Sequence, residues 1–383
     1  MTSKSRKSTQ AVHAGAIHPR MEGALTTPIF QTSTYEYHGE KYHDVGYLRL
    51  SNSPNHRVLD HRIAAMESTE AALVSASGMA SISATLLTHL ATGDHMLVQD
   101  CLYGGTTGLL TNEFARLNIG HTPVDAQDPE SWARHLEPST KAIYVESLTN
   151  PLIQVADLEA VVAFAREHDL VSIIDNTFAS PVNFRPAELG FDLVLESATK
   201  YMNGHTDLCA GVVAGSRERV WDIKVTLDHL GGVLDPHACF LLERGLKTLP
   251  VRVRAQNRSA HRMAEFLEGH QGVRKVHYPG LESHAQHQRA ARLFDGFGGM
   301  LSFELEGGVD EAEAFLSKLT LPTHAASLGG AESLIVRPAA AIHGALSPEE
   351  RERSGISDTL IRFSVGLEEE EDLLEDLEQA LEG

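Results

Sequence analysis

From about residue 60 onward, apolar positions follow two alternating rhythms. One is a short, nearly unbroken apolar run: HMLVQD (95–100), AIYVES (142–147), VSIIDN (171–176), FDLVLES (191–197) and AGVVAG (210–215). The other has helical spacing, as in DLEAVVAFAREHD (157–169), where Leu158, Val161, Val162 and Ala165 share one face. Runs without polar alternation predict strands buried on both faces. Helices between them predict an α/β fold, a mostly parallel sheet flanked by helices. Upstream, residues 61–93 read as helix, short strand or turn, then helix. Ile63, Met66 and Leu73 keep the helical spacing and Gly78 interrupts it.

Near residue 250 the pattern changes. GLKTLPVRVRAQNRSAHRMAEFLEGH (245–270) predicts a long helical connection that Pro250 should bend or break. Beyond it, GGMLSFELEGG (298–308) reads as a strand, followed by a helix from about 310 and a last one near 367–382. The first 60 residues look irregular and are rich in Tyr, His and Asn. A long structureless arm on a compact protein usually docks on something, often a second subunit. The expected organisation is an N-terminal arm contacting the neighbouring subunit (1–60), a large domain (61–250) and a small α/β C-terminal domain (251–383).

Composition narrows the function. Among 383 residues, Lys and Arg total 32 against 52 Asp and Glu, a formal net charge of −20. That argues against a general nucleic-acid binder. Part of the acidic excess lies between Glu368 and Glu382, mixed with leucines, and reads as a solvated helix face. Cys101, Cys209 and Cys239 are far apart and lack metal-ligand spacing, so they imply a reducing cytosol rather than a disulfide framework. The leading MTSKSRKSTQ has no apolar core of a secretory signal, and no apolar run approaches a membrane span. The expectation is a cytoplasmic protein without a membrane partner. His277, His284 and His287 around YPGLESH read as loop histidines, and no metal is assigned.

Ligands of α/β sheets bind beyond the carboxyl ends of the strands. Five such places carry chemistry. FDLVLES ends in SATK, which brings Ser197, Thr199 and Lys200 together. A lysine desolvated at a strand end has a lowered pKa and can act as nucleophile or base, and the flanking hydroxyls resemble phosphate ligands. A lone lysine would be surface decoration. VSIID closes on Asp175, a carboxylate costly to bury unless paired. A protonated pyridine nitrogen suits it, as in sites for pyridoxal 5′-phosphate (PLP). SASGMAS (75–81) enters a helix, where Gly78 allows close approach and free N–H groups favour a phosphate. Tyr103, before Gly104-Gly105, can stack on an aromatic ring. VESLTNP places Glu146, Ser147 and Asn150 after a strand, although Asn150-Pro151 is also a simple turn signal.

SASGMASI, YGGT, VESLTNPL, IIDNTFASP, ESATKYMNGHTD, GGVLDPHACFLLERGLKTL, YPGLESH, SLGGAESL and LIRFSVGLE occur in this order. Together they resemble the Cys/Met-metabolism PLP-dependent enzyme family, the trans-sulfuration enzymes, over nearly the whole chain. The resemblance implies PLP fold type I, with 61–250 as the PLP-binding domain. Lys200 would hold PLP as a Schiff base and Asp175 would pair with its ring nitrogen. Ser197, Thr199 and the backbone of Gly78 and Met79 would bind the phosphate. Tyr103 would stack on the ring and serve in proton transfer. Tyr47 and Arg49, in YLRLSNSPNH, match an arm motif that reaches a neighbouring subunit's phosphate site. Arg362, assisted by Asn150 and the Ser327 backbone, would hold the substrate carboxylate. Implied further are a homo-oligomer, a tetramer built as a dimer of dimers, and γ-elimination on a sulfur amino acid. The first expectation is cystathionine to cysteine, 2-oxobutanoate and ammonia. The alternative is γ-replacement on an acylated homoserine, with methionine γ-cleavage and cystathionine β-cleavage behind it.

Four departures from the family pattern stand out. NSPNH replaces the usual NPTR of the arm motif. Glu196 stands where a His is frequent. Gly105 stands where methionine γ-lyases carry a cysteine, which lowers that reading. Ala326 stands where cystathionine-type γ-lyases and γ-synthases often have a Glu.

Overall fold

The computed structural model describes residues 5–39, 41, 44–341, 349, 351 and 354–382. Seven strands form the main sheet: β1 (Ala71–Ser75), β2 (His95–Gln99), β3 (Gly120–Val124), β4 (Thr140–Glu146), β5 (Val171–Asp175), β6 (Leu193–Glu196) and β7 (Gly211–Gly215). Their order is β1-β7-β6-β5-β4-β2-β3, and β7 runs antiparallel to both of its neighbours. The remaining pairings are parallel. The sheet is therefore mixed but mostly parallel, as expected. Successive residues of one strand feed opposite layers. Val194, Ile174 and Val145 pack into one core cluster, and Leu193, Leu195, Ile173 and Tyr144 into the other. Burial on both faces explains why these strands read as unbroken apolar runs.

β3 is not legible in the sequence because Gly120, Pro123 and the half-buried polar pair His121 and Thr122 disguise it. It lies at the sheet edge, where a proline costs no ladder bond. Three other readings need correction. The first 60 residues are not uniformly irregular: Lys7–His13 is a helix, and a second helix, Pro54–Glu67, begins within the arm. The departure NSPNH is the start of that second helix. Ser53 caps it by accepting from the His56 N–H, and Pro54 fills the first turn.

Pro250 breaks nothing. Pro236–Gly269 is one helix, capped by Asp235, with Pro250 inside it. Its passage beside the Lys200 turn depends on Gly245, where a Cβ would sit 2.4 Å from the Asn203 carbonyl. Arg252, two turns further on along the same face, donates to the Tyr201 and Met202 carbonyls at 2.9 and 3.3 Å. The turn carrying Lys200 is thus fixed from below by the long helix.

A second sheet follows, ordered β10-β11-β12-β9-β8. It comprises β8 (Val273–His277), β9 (Met300–Leu305), β10 (Thr323–His324), β11 (Leu334–Val336) and β12 (Leu360–Ser364). Helices Val309–Lys318 and Glu370–Glu382 pack with it around Phe303, Phe315, Phe363 and Leu377. Among the described residues, no helix is long and apolar enough to cross a membrane. His277 ends β8 and its Nε2 meets Glu304 at 3.0 Å, so it is a strand residue rather than a loop one.

Candidate active site

The carboxyl ends of β4, β5 and β6 open into a cavity of about 580 Å³. Gly78, Met79, Tyr103, Asn150, Asp175, Ser197, Thr199, Lys200, Ser327 and Arg362 all line it. These are ten of the twelve residues to which the family resemblance gives roles, gathered from segments up to 284 positions apart. Glu146, Thr177 and Cys209 join them.

Lys200 follows β6 in a turn closed by its own N–H to the Ser197 carbonyl. Its Nζ lies 2.7 Å from Ser327 Oγ. Burial lowers its pKa, and the Arg362 charge adds to that. The amine is therefore easier to neutralise than a surface lysine. Asp175 ends β5, in register between Glu146 of β4 and Leu195 of β6. Its Oδ1 accepts from the Thr177 N–H at 2.9 Å, an uncharged donor. Burial raises its pKa, and the Thr177 bonds oppose that.

Helix Gly78–His89 points its first turn at this cavity, with Ser77 as the cap. A Cβ on Gly78 would sit 3.0 Å from that of Ser197, so glycine keeps the helix end and the β6 turn close together. Thr199 Oγ1 accepts from the Ala210 N–H at 3.0 Å and lies 3.2 Å from the Ala210 carbonyl. Tyr103 is half exposed over the opening, and its N–H donates to Glu146 Oε1 at 2.6 Å.

Arg362 comes from the middle of β12 and is 4% exposed. It donates to Asn150 Oδ1 at 3.1 Å and to the Ser327 carbonyl at 3.0 Å. Burial brings its pKa down to about 10, so it keeps its charge at neutral pH. Ser327 thus bonds Arg362 through its carbonyl and Lys200 through its hydroxyl.

Tyr47 and Arg49 are the two residues that do not reach the cavity of their own chain. Arg49 donates to the Asp228 carbonyl at 2.7 Å and sits over its own Tyr47 ring at 5.7 Å. Gly105 and Ala326 do line the cavity. A Cβ on Gly105 would come within 2.5 Å of the Tyr103 ring and 3.0 Å of Met79 Sδ. Glu196 faces away from the cavity and is hydrogen-bonded to Glu67, with Asn176 Nδ2 at 3.2 Å.

The model of the Cys/Met metabolism PLP-dependent enzymes matches residues 8–382. The chain belongs to that family. The cystathionine gamma-lyase of Bacillus subtilis is 41% identical over 379 residues, covering 98% of this chain and 99% of that protein. An L-methionine gamma-lyase of Fusobacterium nucleatum subsp. polymorphum is 40% identical over 393 residues, covering 100% and 99%. A cystathionine beta-lyase of Lactococcus lactis subsp. cremoris is 41% identical over 377 residues, covering 98% of each. The crystal structure of cystathionine gamma-lyase from Lactobacillus plantarum, complexed with L-serine, superposes with a TM-score of 0.93 at 37% identity, covering 98% of each chain. Members of the family are PLP enzymes, and this chain is a PLP-dependent carbon–sulfur lyase of the trans-sulfuration type.

The cavity fits that cofactor on its own terms. A half-buried carboxylate with an uncharged partner, Asp175, awaits a cation. A desolvated lysine stands in the same cavity. Beside it, a helix N-terminus and two hydroxyl side chains form a natural phosphate cradle. The residues lining the cavity thus fit a molecule with a ring nitrogen, an aldehyde and a phosphate.

Proposed function

We propose that the enzyme cleaves L-cystathionine at its γ-carbon, taking up one water and releasing cysteine, 2-oxobutanoate and ammonia. At Gly105 a Cβ would meet the Tyr103 ring and Met79 Sδ, so the site has no cysteine there. The observation that carries this reading is the cavity of about 580 Å³, lined by Tyr103 and Ala326 as well as by Lys200 and Arg362. A methylthio group does not need that room. Cystathionine, which bears a second amino acid beyond its sulfur, does.

In this reading Arg362 grips the substrate α-carboxylate with its planar fork. Asn150 and the Ser327 carbonyl hold that fork in place. Lys200, which burial biases toward the neutral amine, removes the Cα proton. Its hydrogen bond to Ser327 keeps the amine in reach. A second proton then leaves Cβ, its electron pair forms the Cβ–Cγ double bond as the Cγ–S bond breaks, and Tyr103 delivers a proton to the departing sulfur. PLP, when bound, supplies the sink for the electrons left at Cα. Asp175 keeps the ring nitrogen protonated, while Ser197, Thr199 and the Gly78 and Met79 N–H groups hold the phosphate. Tyr47 and Arg49 act on the site of a neighbouring subunit, which makes a homo-oligomer, taken as a tetramer of two dimers, part of the proposal. A cytoplasmic location is part of it too.

Ala326 supports a second reading. An uncharged residue at that place offers nothing to the distal ammonium of cystathionine. The acyl end of O-acetylhomoserine has no ammonium, so γ-replacement by a thiol fits this feature. Product analysis separates the readings. The holoenzyme is given cystathionine, methionine, and O-acetylhomoserine with cysteine, in parallel. Cystathionine should be the best substrate, with 2-oxobutanoate as its oxo acid. Pyruvate from cystathionine, preferred turnover of methionine, or preferred γ-replacement would overturn the proposal.

A further inference from the structure

Glu146 has no part in the scheme above, yet it touches Tyr103. Tyr103 is half exposed and stands at the entry to the short helix Gly104–Gly108. Its carbonyl accepts from the Thr107 N–H at 3.0 Å, within the same turn. The bond from its own N–H to Glu146 Oε1, at 2.6 Å, ties it to the sheet. Glu146 itself is held at a buried strand end. It ends β4, is 5% exposed, and its N–H donates to the buried Gln99 side chain at 2.9 Å. It is also the register partner of Asp175.

We infer that Glu146 is a positioning residue: its carboxyl clamps the backbone of Tyr103 so that the phenol stands over the cofactor ring and the leaving sulfur. The inference rests on the role given to Tyr103 above. Two carboxyls on adjacent strand ends repel when both are charged. Burial, followed by the Asp175 charge, pushes the Glu146 pKa well up. Glu146 therefore acts as a neutral acceptor, leaving the negative charge to Asp175. A neutral amide should replace it, whereas a shorter carboxylate should not.

The experiment compares Glu146→Gln, Glu146→Asp and Tyr103→Phe in the holoenzyme, with the double variant E146D/Y103F. The readouts are kcat, KM, and the visible circular dichroism of the bound cofactor. Expected for E146Q are a kcat within about 3-fold of wild type and an unchanged spectrum. E146D should lose at least about 10-fold in kcat at nearly constant KM and alter the dichroism, because its shorter side chain misses the Tyr103 N–H. In the Y103F background the further kcat loss from E146D should shrink to within about 2-fold. Acting through Tyr103 requires that non-additivity. An E146Q as impaired as E146D, an E146D indistinguishable from wild type, or fully additive losses would each overturn the inference. A normal kcat for Y103F would instead remove the underlying role of Tyr103. The two failures are thereby told apart.

Discussion

The Lys200 amine and the Ser327 hydroxyl meet at 2.7 Å across 127 positions of sequence. Ser327 holds this place with φ at 102°, in the left-handed region where side chains other than glycine are uncommon. Its carbonyl accepts from Arg362 at the same time. One serine therefore joins the proposed base to the proposed carboxylate clamp. Ser327→Ala removes the hydroxyl and leaves the carbonyl. A hydrogen bond worth about 1 kcal/mol predicts a kcat loss of roughly 3- to 10-fold with little change in KM. The hydroxyl accepts from the amine and so favours its charged form. Without it the acid limb of the kcat profile should move to lower pH. Steady-state kinetics across pH would show both effects.

Replacing Lys200 tests the centre of the scheme. Lys200→Ala should lose the cofactor's covalent attachment, so borohydride should no longer fix PLP to the chain. Turnover should fall by at least about 10²- to 10⁴-fold, the usual contribution of a positioned acid or base. Mass spectrometry after borohydride treatment and a 2-oxobutanoate assay measure the two effects separately. Retention of both attachment and turnover would place the chemistry elsewhere.

Arg362 is buried and makes two bonds within the chain before any substrate arrives. An ammonium in its place could not reproduce the fork. Arg362→Lys should therefore raise KM for an amino-acid substrate by about 10-fold or more, since a bond to a charged group is worth roughly 1.5–3 kcal/mol. Cofactor affinity should stay near wild type. A KM unchanged in that variant would show that another group binds the carboxylate.

The departure at Glu196 has a structural answer. Its carboxyl is hydrogen-bonded to Glu67 at the C-terminal end of helix Pro54–Glu67, and both are almost fully buried. Neither oxygen of Glu67 has a donor from any other group, so the two buried acids need a proton between them. Burial raises both pKa values, Glu67 to about 7 and Glu196 well above the usual range, against the opposing charges of Arg185 and Lys7 on Glu67. Each acid binds its proton more tightly folded than unfolded. Their support is thus complete below the unfolded carboxylate pKa of about 4.3 and is lost as pH rises through 7. For Glu67 that loss is of the order of 3 kcal/mol. Thermal melts should show Tm falling between about pH 5 and 8. Glu67→Gln, which supplies a permanent donor, should flatten that slope and raise Tm at pH 8. A wild-type Tm that rises over the same window would contradict the pairing.

Much of the site was legible because strand ends and helix starts advertise themselves locally. Lys200, Asp175 and Gly78 each follow an apolar run or open a helix within a few residues. Arg362 had no such signal. It sits inside β12, and the carboxylate-binding role proposed for it rests on its bonds to Asn150 and Ser327, which the sequence does not bring near it. Only the family resemblance reached it. The Glu67–Glu196 pair was unreadable for the same reason, since 129 positions separate two acids that share one buried hydrogen bond. Pro250 misled as a breaker because proline's penalty was weighed without the packing against the Lys200 turn, beside which the helix continues unbroken. Tyr47 and Arg49 show the opposite limit: the arm motif names them, but a single chain gives them no site to complete.

That incompleteness can be measured. If Tyr47 and Arg49 serve a neighbour's phosphate site, Arg49→Ala should weaken PLP binding, and so should dilution to the point where subunits separate. The decisive experiment mixes two inactive chains. Arg49→Ala keeps Lys200, and Lys200→Ala keeps Arg49. In a two-fold dimer of one of each, one site combines the intact Lys200 of the first chain with the intact Arg49 of the second. Random reassortment makes half of the dimers mixed, each with one good site of two, so activity should return to about a quarter of the wild-type level. Refolding the variants together and apart, then assaying at equal total protein, gives the comparison. Recovery restricted to the mixture establishes the shared site. No recovery, with mixed dimers confirmed by differential tagging, would return Arg49 to its own chain and its bond with Asp228.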